Sequence, residues 1–234
     1  MTNKIIKKCS YYFVILFSIA CLVSIFKSVV IDIYRVKGIS MEPTLHNGEF
    51  IFVSKFSYNI RTPKSIPFLN VKVPYFDFKG LNRPRKGDIV LFKLPIFRRG
   101  KKQSIRQTIV KRIVGLPGDT MEINYASLSP KICFINDKKS YFNKSTIYLR
   151  VPKKGDTIKV TCLNNQFIED MIRNEGHAIK VRKDGAFLID DKPTRHYIVK
   201  KDYYYMRGDN SKFSIDSRNW GFLPYDKLIG KVIF

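Results

Sequence analysis

The sequence predicts a mainly β protein that carries a single transmembrane helix at its N-terminus. From Tyr11 to Ile31 the only charged side chain is Lys27, and this apolar run reaches the roughly 20 residues that a helix needs to cross a bilayer. Beyond the run, the hydrophobic segments are short and rich in β-branched and aromatic residues. Segments of that kind are typical of β-strands.

The residues around the apolar run indicate its orientation. Lys4, Lys7 and Lys8 precede it, which predicts that the N-terminus lies in the cytoplasm and the rest of the chain outside. A cleaved secretory signal has an apolar region of about 7–15 residues, shorter than this one. Ser18-Ile19-Ala20-Cys21 loosely resembles a lipoprotein processing site, but the apolar run continues past the cysteine. An uncleaved single span is therefore favoured over either kind of cleavage.

The net charge indicates an anionic partner. The chain of 234 residues has a formal net charge of +24 at pH 7, a balance that suits phospholipid headgroups or nucleic acid. Lysine and arginine occur throughout the chain, so a general compositional bias also fits. Because the sequence contains no recognisable nucleic-acid-binding motif, we predict contact with membrane phospholipid and no nucleic-acid partner.

The four cysteines, Cys9, Cys21, Cys133 and Cys162, do not suggest a metal site. They contain no Cys-x-x-Cys spacing, so zinc binding is not expected. Cys9 and Cys21 lie in or beside the apolar run, where they act as small hydrophobic residues. Whether Cys133 and Cys162 form a disulfide is left open by the sequence.

Three segments predict strands: Glu49–Ser54, Asp88–Lys93 and Thr108–Val114. A Gly-Asp pair precedes several strand-like segments and predicts a structural turn each time. Tyr58 to Pro84 carries four prolines and reads as an extended loop or edge hairpin, while Asp190-Asp191-Lys192-Pro193 predicts a hairpin turn. The predicted divisions are an anchor (1–32), a first part of the core (33–123), an inserted subdomain (124–200) and a last part of the core (201–234).

Ser40 and Lys111 are the candidates for nucleophilic chemistry. A serine hydroxyl needs a base, and a lysine can be that base if burial lowers its pKa. In a strand over Thr108–Val114, side chains two apart share a face, so Lys111 would lie on an apolar face with Ile109 and Ile113. Taken singly, both residues have simpler interpretations, a turn serine and a strand-edge lysine. A Ser-His-Asp triad through His46 is a further alternative, although a surface turn fits that histidine better.

The combination of motifs is more specific than either residue. Ser-Met-Glu-Pro-Thr-Leu (residues 40–45) follows the apolar run, and Val-Lys-Arg-Ile-Val-Gly-Leu-Pro-Gly-Asp (residues 110–119) comes later. Gly-Asp-Asn (residues 208–210) and the segment Ser214 to Pro224 complete the set. Together they strongly resemble the type I signal peptidase (leader peptidase) family, serine/lysine enzymes that remove signal peptides from exported proteins.

The resemblance implies a membrane-bound serine endopeptidase of the bacterial inner membrane, with its catalytic domain on the outer, periplasmic face. Its partners would be the signal peptides of exported preproteins, cut after small residues, and no cofactor or metal is implied. The expected fold is a signal-peptidase-like β-rich core with an inserted β subdomain. Residue by residue, it implies a nucleophile (Ser40), a general base (Lys111), a serine that orients the lysine amine (Ser214), a supporting pair (Asp216 and Arg218) and the rest of the nucleophile motif (Met41, Pro43 and Thr44).

The sequence also departs from the family pattern. Gly38 stands where some members carry a serine, and Ser211-Lys212-Phe213 stands where Arg-Asp-Asn is frequent. The second departure leaves open a non-catalytic, membrane-tethered binding protein on the same scaffold. A soluble, self-cleaving Ser/Lys regulator with a DNA-binding domain is disfavoured, because the N-terminal segment resembles a membrane span.

Overall fold

The computed structural model describes residues 8, 10–20, 23, 30–61, 77–80, 82–96, 105–124, 146–160, 165–182 and 187–233. The four cysteines, most of the proline-rich segment from Tyr58 to Pro84 and part of the predicted span lie outside these residues. Residues 10–20 are helical. Within the described residues, no helix combines the length and the apolar character needed to cross a membrane.

The described residues are mainly β, as predicted. The strands are β1 (Ile31–Arg35), β2 (Phe50–Ser54), β3 (Asn59–Arg61), β4 (Asp77–Lys79), β5 (Ile89–Ile96), β6 (Ile105–Gly115), β7 (Thr120–Asn124), β8 (Thr146–Arg150), β9 (Thr157–Lys159), β10 (Ile179–Val181), β11 (Phe187–Ile189), β12 (Lys192–Pro193), β13 (His196–Ile198), β14 (Tyr203–Arg207), β15 (Leu223–Pro224) and β16 (Leu228–Ile233). Helices cover Asn165–Asn174 and Ser217–Trp220, and a 3-10 helix covers Tyr225–Lys227. The three strands predicted from the sequence correspond to β2, β5 and β6.

The chain divides into two compact units. The first comprises Met1–Arg35, Phe50–Arg83 and Gly230–Phe234. In it, β2 pairs antiparallel with β1 on one side and with the end of β16 on the other. A two-stranded hairpin of β3 and β4 belongs to the same unit.

The second unit comprises Val36–Glu49 and Pro84–Ile229, and it contains every predicted site residue. Its main sheet has the strand order β5-β6-β14-β15, with antiparallel neighbours. Smaller antiparallel pairings, β7 with β8, β9 with β13 and β10-β11-β12, lie further along the chain. Their apolar side chains form a buried cluster that also includes Tyr203, Tyr205 and Phe222. This cluster supports the β14 side of the main sheet.

The Gly-Asp pairs form the same turn three times, as predicted. Gly87, Gly118 and Gly155 each have φ between 91° and 93°, a conformation that favours glycine. The carboxylate of the following aspartate accepts a hydrogen bond from the backbone N–H three residues earlier, at 2.9–3.0 Å. The turn chemistry is therefore local and could be predicted from the dipeptide alone.

The region predicted as an insertion contains a helix as well as strands. Helix Asn165–Asn174 buries Ile168, Met171 and Ile172, which have the spacing of one helical face. The predicted hairpin turn is confirmed, since Asp190 and Asp191 both have positive φ and join β11 to β12. The boundaries of the insertion stay a prediction.

Candidate active site

Lys111 lies on β6, an inner strand of the main sheet. β6 lies between β5 and β14, and the register places Lys111 opposite Val90. Val90 and Ile113 are fully buried, and Lys111 itself is 2 % exposed. The predicted alternation holds from Lys111 to Val114, because Arg112 and Val114 on the other face are only half-buried, whereas Ile109 is half-buried like Val110. A single amine is thus held among apolar side chains.

Ser40 lies in a turn whose apolar residues fix it to the protein. Met41 is 1 % exposed and Leu45 is fully buried. The N–H groups of Thr44 and Leu45 both donate to the carbonyl of Met41, at 2.9 and 3.0 Å. Pro43 is exposed and follows a cis peptide bond. The motif residues around Ser40 therefore build the turn that presents its hydroxyl.

The structure brings Ser40 and Lys111 together, although 71 residues separate them in sequence. Lys111 Nζ donates a hydrogen bond to Ser40 Oγ. Burial lowers the pKa of Lys111 to about 8, against opposing influences from Asp216 and Asp209, which favour the charged amine. An amine with that pKa has a substantial neutral fraction near neutral pH, and only the neutral form can accept a proton.

Gly208 lies between the nucleophile turn and the segment that carries Ser214. A Cβ built on Gly208 would lie 2.2 Å from Ser214 Oγ and 2.5 Å from the carbonyl oxygen of Ser40. Asn210 adds two hydrogen bonds, from its N–H to the Ser40 carbonyl and from Nδ2 to the Ile39 carbonyl, both at 3.1 Å. Only glycine allows this close approach, and so the Gly-Asp-Asn segment positions the backbone of Ser40.

Ser214, Asp216 and Arg218 form one hydrogen-bonded group. Asp216 is fully buried and binds Arg218 through both carboxylate oxygens, Oδ1 to Nε at 2.8 Å and Oδ2 to Nη2 at 2.9 Å. Ser214 Oγ also donates to Asp216 Oδ2, at 2.9 Å. That Ser214 also contacts the amine of Lys111 stays a prediction.

The charge of Asp216 is stabilised by its partners. Burial alone would raise the pKa of Asp216, but hydrogen bonds from Arg218, from the Gly208 N–H and from Ser214 hold that pKa below its ordinary value. Asp216 also caps helix Ser217–Trp220. The carboxylate consequently links three elements around the site and remains ionised.

A second ion pair, which sequence reasoning did not identify, lies on the opposite face of β6. Arg112 binds Asp209 through Nε at 2.8 Å and Nη2 at 2.6 Å, and Thr44 Oγ1 donates to the same carboxylate at 2.5 Å. Arg112 Nη1 also donates to the Gly87 carbonyl, at 2.8 Å. Strand alternation indicates that Arg112 points away from Lys111, but no local pattern shows that its partners would be Asp209 and Thr44.

Two further sequence expectations concern His46 and Gly38. His46 is exposed, and its backbone N–H donates to Glu49 Oε2 at 2.8 Å, so it is a turn residue as predicted. Gly38 has φ +91°, a backbone conformation that disfavours serine and other residues with a side chain. Its N–H donates to Asn47 Oδ1 at 2.9 Å.

Comparison with known proteins identifies the family. The family described as signal peptidase, peptidase S26, matches residues 9–234. The chain belongs to this signal peptidase family. The predicted recognition is thereby confirmed, and with it the enzyme class.

Named relatives of this signal peptidase family member are similar over most of its length. The "Signal peptidase I" of Buchnera aphidicola subsp. Baizongia pistaciae is 33 % identical over 93 % of the chain and 73 % of the relative. The "Signal peptidase I" of Buchnera aphidicola subsp. Schizaphis graminum is 33 % identical over 99 % of the chain and 77 % of the relative. The "Signal peptidase I" of Pseudomonas aeruginosa is 28 % identical over 92 % of the chain and 68 % of the relative.

Replacing Asp216 with asparagine is expected to destabilise the fold. The change leaves Arg218, whose side chain is 11 % exposed, without its carboxylate, and breaking a buried ion pair costs about 3 kcal/mol. Denaturant unfolding of the detergent-solubilised protein measures the change. The matched control is Asp191→Asn, which removes an exposed pair with Lys180 and should leave the unfolding transition nearly unchanged. Equal losses in the two variants would contradict a structural role for the buried pair.

The rate of peptide cleavage should rise with pH and level off above about 8. The sign follows from the chemistry, since a base must be neutral and the neutral fraction of Lys111 grows as pH increases through its pKa. The measurement is kcat/KM for a peptide substrate from about pH 6 to about pH 10. A rising limb near 10.5, the ordinary lysine value, would show that burial does not set the pKa of the essential base.

Proposed function

We propose that this signal peptidase family member cleaves with a Ser/Lys dyad, in which Ser40 is the nucleophile and Lys111 the general base. The observation that carries the proposal is the hydrogen bond between Lys111 Nζ and Ser40 Oγ at a lysine that is 2 % exposed. Ser40 supplies the oxygen and Lys111 supplies the proton acceptor. No other group is needed for the proton transfers.

In the acylation step, Ser40 Oγ attacks the carbonyl carbon of the peptide bond that is cut. Neutral Lys111 accepts the hydroxyl proton of Ser40 at the same time. The oxyanion that forms lies near the Ser40 N–H, which is one donor able to stabilise it. The ammonium of Lys111 then gives its proton to the nitrogen of the leaving chain. The carbon–nitrogen bond breaks, and the signal peptide remains as an ester on Ser40.

In the deacylation step, Lys111 is neutral again and accepts a proton from water. The resulting hydroxide adds to the ester carbonyl, the bond to Ser40 Oγ breaks, and Lys111 returns the proton to that oxygen. The signal peptide leaves as a carboxylic acid. The same amine therefore serves both half-reactions, and it must regain its neutral form after each of them.

The two ion pairs support the dyad from opposite sides. Asp216 and Arg218 hold the segment of Ser214, while Asp209 and Arg112 link Thr44 of the nucleophile turn to β6, the strand of Lys111. We propose that the second pair fixes the distance between Ser40 and Lys111, because Arg112 follows Lys111 directly and Thr44 follows Ser40 by four residues. Both pairs act through other groups and touch neither reacting atom.

The substrates would be exported preproteins whose signal peptides end in small residues at the first and third positions before the cut. The enzyme would be anchored in the bacterial inner membrane by a single N-terminal span, with a cytoplasmic N-terminus and the catalytic unit on the outer face. Lys4, Lys7 and Lys8 before the apolar run support this orientation. The basic chain would also contact anionic phospholipid.

Cleavage of a preprotein with an Ala-x-Ala site tests the dyad. Ser40→Ala and Lys111→Met should each lose activity by roughly 10⁴-fold or more, because each removes one of two groups that act as a unit. Lys111→Met keeps the length of the side chain but lacks the amine. The matched control is Lys93→Met on the neighbouring strand β5. Because Lys93 is exposed, this variant should cleave the preprotein at the normal rate.

The folded state of every variant is checked by circular dichroism and by its unfolding transition. Normal cleavage by folded Ser40→Ala or Lys111→Met would refute the assigned dyad. An inactive wild type on varied preproteins would instead favour the non-catalytic binding protein on this scaffold.

A further inference from the structure

Ser40 lies in the segment Val36–Glu49, a loop whose two ends are joined by backbone hydrogen bonds. The Val36 N–H donates to the Glu49 carbonyl at 2.8 Å, and the Gly48 N–H donates to the Val36 carbonyl at 2.9 Å. The whole segment belongs to the same compact unit as Lys111. The ends of the loop are therefore fixed by main-chain contacts alone.

The side chain of Asn47 reaches across this loop to the residue two positions before Ser40. Asn47 Oδ1 accepts a hydrogen bond from the Gly38 N–H at 2.9 Å, although the two residues are nine positions apart in sequence. An asparagine in a turn commonly binds the backbone two residues further on. Here the local turn is held by Glu49 instead, whose carboxylate accepts from the His46 N–H at 2.8 Å. The Asn47 amide thus braces the loop.

Gly38 has a backbone conformation that needs such a contact. Its φ is +91°, and a Cβ built on it would meet no atom of the described residues within 4 Å, its chain neighbours aside. The backbone angle therefore favours glycine at this position, and crowding does not. Because glycine adopts positive and negative φ about equally well, a contact from outside must select one of them. The hydrogen bond to Asn47 selects the observed conformation.

Asn210 fixes the chain on the other side of Gly38. Its N–H donates to the Ser40 carbonyl and its Nδ2 donates to the Ile39 carbonyl, both at 3.1 Å. A peptide unit is planar and trans, so the contact that holds the Ile39 carbonyl also sets the direction of the Ser40 N–H in the same unit. Gly38 comes directly before Ile39, and its dihedral angles determine how the chain enters that peptide unit.

We infer that Asn47 is a positioning residue for peptide cleavage, which holds Gly38 at positive φ and thereby directs the Ser40 N–H toward the oxyanion. The inference rests on the proposed function, in which that N–H is one oxyanion donor. Gly38 cannot share the task, because it has no side chain and its N–H is bound to Asn47. The oxyanion forms only after Oγ has attacked, so the effect of Asn47 falls on kcat and not on substrate binding.

Cleavage kinetics of the full chain test this role. Asn47→Leu keeps a side chain of similar size without the acceptor oxygen, while Asn47→Asp keeps an oxygen at the same position. Gly38→Ala disturbs the same conformation independently, since alanine disfavours φ +91°. Asn82→Leu is the matched control, the same substitution at an exposed asparagine outside the loop.

The values of kcat and KM are measured for a preprotein with an Ala-x-Ala site, with Ser40→Ala assayed alongside. Denaturant unfolding shows that each variant is folded. Because Asn47 is exposed, its replacement should leave the unfolding transition nearly unchanged.

We expect Asn47→Leu and Gly38→Ala to lower kcat by roughly 10- to 100-fold with KM close to the wild-type value, because a small displacement of reacting groups can cost that much. Asn47→Asp should keep most of the wild-type kcat, and Asn82→Leu should keep all of it. The pH at which the rate rises should be the same in Asn47→Leu as in wild type, because Lys111 is unchanged. A wild-type kcat in Asn47→Leu overturns the inference, as does a rise in KM alone or an Asn47→Asp variant as slow as Asn47→Leu.

The same assay separates this inference from the proposed function. If Ser40→Ala is inactive while Asn47→Leu cleaves normally, the dyad stands and only the role of Asn47 fails. If Ser40→Ala cleaves normally, the proposed function fails and the inference fails with it.

Discussion

The burial of the Lys111 amine beside Ser40 is the interaction on which the rest of the site depends. In water an amine of this kind is almost entirely charged at neutral pH and cannot act as a base. Val90 and Ile113, both fully buried beside it, exclude the solvent that would stabilise that charge. The carboxylates of Asp209 and Asp216 favour the charged form, but each is paired with an arginine, and burial remains the larger influence. The fold thereby favours the neutral amine, which is the form that the proposed general base requires.

The surrounding structure holds the turn of Ser40 and strand β6, which are distant in sequence, close enough for the hydrogen bond between Ser40 and Lys111. The nucleophile turn is fixed by buried Met41 and Leu45, and Thr44 ties it to Asp209. Asp209 in turn binds Arg112, the residue next to Lys111 on β6. Each link is a short contact between residues far apart in sequence. The group of Thr44, Asp209 and Arg112 therefore ties the turn of Ser40 to the strand of Lys111.

Local features of the fold could be predicted from the sequence, and long-range partners could not. The Gly-Asp turns depend on a few adjacent residues, so dipeptide chemistry is sufficient to predict them. Strand alternation places Lys111 on an apolar face, but that stretch alone also fits a strand-edge lysine that reaches solvent. Helix Asn165–Asn174 has the spacing of one helical face at Ile168, Met171 and Ile172, which is a local signal sufficient to predict it. The pairing of Arg112 with Asp209 joins residues 97 apart. Only the tertiary fold brings those two side chains together, and the same holds for the contact of Gly208 with Ser40.

Direct titration of the Lys111 amine tests the central claim most closely. Lysine labelled with a stable isotope at the side-chain carbon next to the amine is followed by NMR in the Ser40→Ala protein, and Lys111→Met assigns the signal. We predict a titration midpoint at about 8 for this amine. A midpoint for Lys111 at 10.5 or above would contradict the account, because the amine would then be charged whenever the enzyme acts.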